Sequence, residues 1–208
     1  ALALAFSASG YLPESLFIAA ALIATRSKAA IMGGLIGVGV LLFFRAPGRK
    51  LGRWTWVALG SLFPLVFLIL NRSASDSIRI YTWATAVKAF LQRPFVGWGP
   101  DNFLDAFMRL RGPGWIEAGG NPGMWQTASE NAHNLVLNLL ATQGLLGTFA
   151  HGLLALQVGY SLLQAARAGN SRATQLCGAY AAVLAYSMFN PVPFMAWCVL
   201  AFLLGALR

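Results

Sequence analysis

Three residues in this chain combine a reactive or charged side chain with a position at the end of an apolar run. They are Arg26 in ATRSKAA, Arg79 in SIRIYTW and His133 in ENAHNLV, with Asn134 directly behind the histidine. Two guanidiniums, one of them in the first turn of a helix, form an anion site matched to phosphate or diphosphate. Each planar fork offers paired N–H donors, and the first-turn amides point the same way. A histidine beside such a site can remove a proton from an attacking hydroxyl. Plainer readings stand next to these. An arginine at the end of a span often snorkels to lipid headgroups, and an interfacial histidine is often only held by hydrogen bonds. Acids are the usual ligands of Mg²⁺, and the apolar runs lack them apart from Glu14. Arginine is therefore the expected neutraliser of negative charge, with no metal and no other cofactor.

The elements that must position these residues follow from composition. The chain has 208 residues, 58% hydrophobic and 10% charged, with a mean hydropathy of +0.64. Soluble domains carry roughly 25% charged residues, and disordered chains lack apolar surface to bury. The fold class expected is an all-α, polytopic transmembrane helical bundle of five to six spans. Clear apolar runs cover 28–44, 54–70, 132–163, 173–189 and 194–207. The stretch before Arg26 is interrupted by Pro13 and Glu14, so it is either one kinked helix or the end of one span and a short second one. The opening ALALAFSAS shows neither a basic leader nor a cleavage-site pattern. The expectation is a single membrane domain over 1–208, a fragment that begins partway through a larger polytopic protein. Cys177 and Cys198 lie in apolar runs without zinc-ligand spacing and read as buried thiols.

Charge sets the orientation. The net charge is +9, and in a membrane chain such an excess is a topology signal rather than a nucleic-acid footprint. Arg45, Arg49, Lys50 and Arg53 are clustered without an acid, as are Arg167 and Arg172, and Arg208 closes the chain. The positive-inside rule places these three points in the cytoplasm. The outer side then receives residues 25–28, a large loop over 71–131 and a tight turn at 190–193. The loop carries six basic and five acidic residues, so it is nearly neutral. On this topology Arg26, Arg79 and His133 share one membrane depth. His151 lies 18 residues beyond His133, about 27 Å along the same expected helix, and reads as structural.

The large loop has its own pattern. Ile80, Trp83, Ala84, Val87 and Leu91 follow helical spacing, while Arg79, Thr82, Lys88 and Gln92 mostly occupy another face. This predicts an amphipathic helix lying in the outer interface, capped by Asp76 or Ser77 and ended by Pro94. Gly97, Gly99 and Pro100 then enforce a turn. The stretch RGPGWIEAGGNPGMW reads as an irregular loop. Ser129 is the expected N-cap where the chain re-enters the membrane. Asp101, Asp105, Glu117 and Glu130 read mostly as solvated charges, with contact to an acceptor as the alternative, and Arg109 and Arg111 read as a solvated charge pair ahead of a site for an anionic glycan. Trp98, Trp115 and Trp125 either stack on sugar rings or anchor at the interface. No GxSxG, HExxH, Walker A or GxGxxG pattern is present.

The spacing of these motifs resembles a known family. Arg79 is followed by Pro94, Gly97, Gly99 and Phe103, then by Ala132, His133 and Asn134, and, after nine intervening residues, by Gly144 and then Gly147. That order, with ATRSK at 24–28 as a variant of an upstream Ser-Arg signature, resembles the O-antigen ligase and O-antigen polymerase superfamily over roughly residues 15–160. The resemblance implies a multi-pass glycosyltransferase of the bacterial inner membrane with its active site facing the periplasm. Its donor would be a glycan on undecaprenyl diphosphate, and its acceptor a lipid A core sugar, another lipid-linked repeat or a protein hydroxyl. Arg26 and Arg79 would hold the diphosphate and His133 would be the general base, with Asn134, Gly97 and Gly99 in support. Catalysis would be metal-independent and inverting. The rival from another class is a lipid-linked glycan transporter or carrier-binding protein, in which the same arginines capture the headgroup without bond cleavage.

Overall fold

The computed structural model describes residues 20, 21, 24, 27–45, 73–117, 129–190 and 205. All regular structure among them is helical: α1 (Lys28–Arg45), α2 (Ser73–Gln92), α3 (Phe103–Leu110), α4 (Gly114–Glu117), α5 (Leu135–Arg167) and α6 (Ser171–Ser187). Arg26, the expected runs 54–70 and 194–207, Cys198 and Trp125 lie outside the described residues. Among those described, α5 is the helix long and apolar enough to cross a membrane, and α1 is a shorter apolar helix. Large side chains of α5, namely Leu145, Leu146, Phe149, Leu153, Leu156 and Tyr160, stay exposed at helical spacing, so its apolar face is left without protein cover.

The chain forms two compact units. The first gathers 1–71, 156–186 and 192–208, and the second 72–155 and 187–191. In the first, small residues let helices approach closely. A Cβ on Gly37 would stand 2.7 Å from the Gly178 carbonyl oxygen, and one on Gly33 would stand 2.7 Å from that of Ala182. This is the small-xxx-small packing of helices that meet in an apolar medium. Leu162, Ala166, Ala173, Leu176, Cys177 and Tyr180 form the core there, so Cys177 is the buried thiol expected. The turn from α5 to α6 ends the first helix with Gly169 at φ +89° and bonds from the Gly169 and Asn170 amides to Ala166 and Ala165. Asn170 then caps α6 by accepting from the Ala173 amide at 3.1 Å.

The second unit is built around α2 and α3, and among the described residues of 71–131 three helices form, the first of them where a helix is expected. Its core holds Ala86 and Ala89 of α2, Phe103, Ala106 and Phe107 of α3, Trp115 of α4, and Ala132 and Ala141. Phe107 meets Trp115 edge-to-face at 5.6 Å. Trp115 is thus a core residue and neither a sugar platform nor an interface anchor. A helix forms where the amphipathic one is expected, but it starts at Ser73, ahead of both cap candidates, so Arg79 is its seventh residue and lies beyond the first-turn amides expected beside it. Its packed face is the small one: Thr82, Thr85, Ala86 and Ala89 are buried, while Ile80, Val87 and Leu91 point outward. Burying two threonines costs little because each hydroxyl donates to the carbonyl four residues back, Thr82 to Ile78 and Thr85 to Tyr81, both at 2.9 Å. Thr82, expected on a polar face, is therefore part of the inward stripe.

Candidate functional site

The histidine sits at the start of α5, in a short loop made almost wholly of hydrogen bonds. Ser129 does not cap the helix. Its hydroxyl donates to the Asn131 carbonyl at 2.6 Å, and the cap is Asn134, whose Oδ1 accepts from the Leu137 amide at 3.0 Å. Asn131 Oδ1 accepts from the His133 amide and Asn138 Oδ1 from the Ala132 amide, each at 3.0 Å. These bonds hold His133 at φ +49°, a left-handed backbone that side-chain-bearing residues seldom adopt. Ala132 beside it is fully buried in the α2–α3 core.

Two further contacts come from the turn that follows α6. Asn134 Nδ2 donates to the Met188 carbonyl at 2.9 Å, and His133 Nδ1 lies 3.1 Å from Asn190 Oδ1. The imidazole is half-buried. Nothing local in the sequence pointed to Asn190, 57 residues downstream. The density of asparagine in ENAHNLVLN was the available signal that this stretch spends its amides on its own backbone.

Arg79 lies one helical turn before Thr82 and two before Ala86, so it continues the inward stripe of α2 rather than the exposed apolar face. It is half-buried, and among the described residues it makes no ion pair. The α2 stripe and the His133 loop meet in one core through Ala86, Ala89 and Ala132. This core is shared by the helix that carries Arg79, two turns before Ala86, and the loop that carries His133. His151 is exposed and bonds through Nδ1 to the Gly147 carbonyl of its own helix at 2.9 Å, the structural role expected.

The motif glycines serve the backbone. At Gly144, φ +65° and ψ −164° interrupt α5, and the break removes two helical bonds. The 94–99 segment replaces all four groups. Leu145 and Leu146 amides donate to the Pro94 and Phe95 carbonyls at 2.7 and 3.1 Å, while Ala141 and Thr142 carbonyls accept from Trp98 and Gly99 amides at 3.0 and 2.7 Å. A broken helix among apolar surroundings persists only when its freed groups are paired in this way. A Cβ on Gly97 (φ +67°) would strike the backbone of Thr142 and Gln143, and one on Gly144 would strike that of Phe95. Gly97 and Gly99 therefore support the fold of the site and need not contact substrate. Trp98 is fixed by an indole bond to the Ala89 carbonyl at 3.0 Å, under the Arg93 guanidinium at 4.5 Å. Asp105 and Arg109 form an exposed pair at 3.0 Å, the solvated charge pair expected. Among the described residues no three metal-ligating side chains gather.

The sequence profile of the O-antigen ligase family matches residues 15–152, about two-thirds of the chain. The chain belongs to this family. O-antigen ligases are membrane-associated, glycosyltransferase-like enzymes that work on lipid-linked glycans and their acceptors. Neither a curated protein nor a solved structure matches the chain. The family match includes Arg26, Arg79, the glycine turn and His133, and it stops before the 188–190 turn that reaches back to the histidine.

Proposed function

We propose that this O-antigen ligase family member transfers a glycan from an undecaprenyl diphosphate carrier to an acceptor hydroxyl at the periplasmic face of a multi-pass inner-membrane domain. In this mechanism His133 takes the acceptor proton as the acceptor oxygen attacks the anomeric carbon. The bond from that carbon to the diphosphate oxygen breaks, and its electron pair leaves with the diphosphate. The attack comes from the face opposite the leaving group and inverts the centre. Arg79, with Arg26, opposes the negative charge that grows on the departing group, so no metal is required. The exposed apolar faces of α2 and α5 would face lipid. Acceptors of three kinds fit the same chemistry: a lipid A core sugar, a second lipid-linked repeat, or a protein hydroxyl.

The observation that carries this reading is the cost of placing His133. A non-glycine residue kept at φ +49° by three asparagines, beside the core that also anchors the Arg79 stripe, is a side chain held for its position. The test uses membranes with the full-length protein, radiolabelled polyprenyl diphosphate glycan and EDTA. Release of free polyprenyl diphosphate should fall on the order of 10²- to 10⁴-fold in His133→Ala while donor binding persists. Arg79→Ala should weaken donor binding as well, because its charge is opposed in ground and transition states alike. A parent protein that binds the carrier but never releases diphosphate, with acceptors supplied, would make it a carrier-binding or transport protein instead.

A further inference from the structure

We propose that Asn190 is the positioning residue of the His133 base: its carboxamide oxygen holds the Nδ1 proton, so that Nε2 carries the lone pair that meets the acceptor hydroxyl. This rests on His133 acting as the base. It adds a residue from outside the segment that matches the family, 57 positions beyond the histidine.

The chemistry of the contact decides the tautomer. Neutral imidazole has one N–H donor and one acceptor, and the partner of one nitrogen dictates the state of the other. Asn190 presents Oδ1 to Nδ1 at 3.1 Å. With Oδ1 as the atom that faces the ring, Nδ1 carries the proton and Nε2 is free to take one; a turned amide would present Nδ2 and select the other tautomer, an outcome that ¹⁵N spectra distinguish. Free histidine prefers the reverse arrangement, with the proton on Nε2, which could not act as a base there. The contact therefore selects the reactive tautomer against its intrinsic preference.

The position of Asn190 is itself pinned by a residue whose orientation is unambiguous. Asn134 Oδ1 faces the Leu137 amide, which can only donate, so Asn134 Nδ2 must face the Met188 carbonyl, which can only accept. Asn134 thus ties the start of α5 to the turn after α6, two residues from Asn190. Ser187 at the end of α6 is fully buried, which anchors the same turn from its other side. The left-handed backbone of His133 and the Asn134 clamp aim the ring at Asn190 from both directions.

Three measurements on the full-length protein in lipid nanodiscs test this. Histidine ¹⁵N spectra, with His151→Gln removing the second histidine of this chain, should show His133 protonated at Nδ1 and unprotonated at Nε2. A proton on Nε2 in the parent protein overturns the proposal without any change at Asn190. Asn190→Leu, similar in shape but without an acceptor, should lower kcat on the order of 10- to 100-fold, leave donor affinity unchanged and move the proton to Nε2. Asn190→Asp keeps the acceptor and should restore most of the lost rate. Parent turnover in Asn190→Leu while His133→Ala is inactive overturns the role of Asn190 alone. Parent turnover in His133→Ala overturns the base itself.

Discussion

Two places in the second unit use the same left-handed backbone with opposite choices of residue. At the α5 break, Gly97 and Gly144 sit at φ +67° and +65°, where a glycine carries no steric penalty and where a Cβ would collide with main chain. At the start of α5, His133 occupies φ +49° with a full side chain, and asparagine amides hold it there. The break is closed by main-chain bonds alone, so it asks only that side chains be absent. The histidine loop is closed by side-chain amides, so it asks for particular residues. At the break the left-handed positions are glycines, whereas the histidine loop keeps a side chain there; Asp101, at φ +63° in the turn after Gly99, shows that such a backbone with a side chain is not confined to the histidine.

The largest effect expected from this contrast is at the break. Gly97→Ala or Gly144→Ala adds a Cβ against backbone and a strained φ together, and should cost about 3 kcal/mol or more. Thermal unfolding in detergent, followed by circular dichroism, reads this directly; parent-like melting would remove the glycines from the architecture. Asn134→Ala comes next. It leaves the Leu137 amide and the Met188 carbonyl without their partner, at about 1–3 kcal/mol. Transfer should fall with it, since the clamp on the 188–190 turn is lost. Should stability drop while turnover per folded molecule stays constant, the loop would be architectural like the break. The smallest effect has the opposite sign. His133→Gly relieves the left-handed strain and should raise stability by about 1 kcal/mol or less while abolishing transfer. A glycine variant less stable than the parent would mean that the histidine ring stabilises the fold, and the contrast between the two places would vanish.

Much of the architecture was legible because it depends on local, chain-neighbour physics. Composition sets an all-helical apolar chain, Pro94 ends α2 and Gly97 marks a turn, whereas the break at Gly144, inside a run expected as one helix, was not legible. The faces of α2 were not legible. The pattern set apart an apolar stripe of Ile80, Val87 and Leu91 for the outer interface, and it did not show which residues of the helix pack against protein. Here the small stripe with Thr82 and Ala86 packs against protein, and the large residues are left outward. Ser129 as N-cap failed for a similar reason. A sequence shows a capping residue type, but three asparagines within eight positions compete for the same amides, and geometry awards the cap to Asn134. Trp115 was open between two surface roles because an indole suits both, whereas its burial against Phe107 needs the fold of α3 and α4 to exist.

The sequence by itself determined what kinds of groups are available: a histidine and arginines at the ends of apolar runs, glycines where side chains must be missing, and a family pattern over residues 15–152. Tertiary structure decided which of them meet. It packed α2, the helix of Arg79, against the histidine loop through Ala86 and Ala132, and brought Asn190 to His133 across 57 residues. The physical reason is range. Helix propensity and backbone strain act over a few residues and leave a mark in the local sequence. A hydrogen bond between an imidazole and a distant carboxamide leaves none until packing of the core has closed the chain between them.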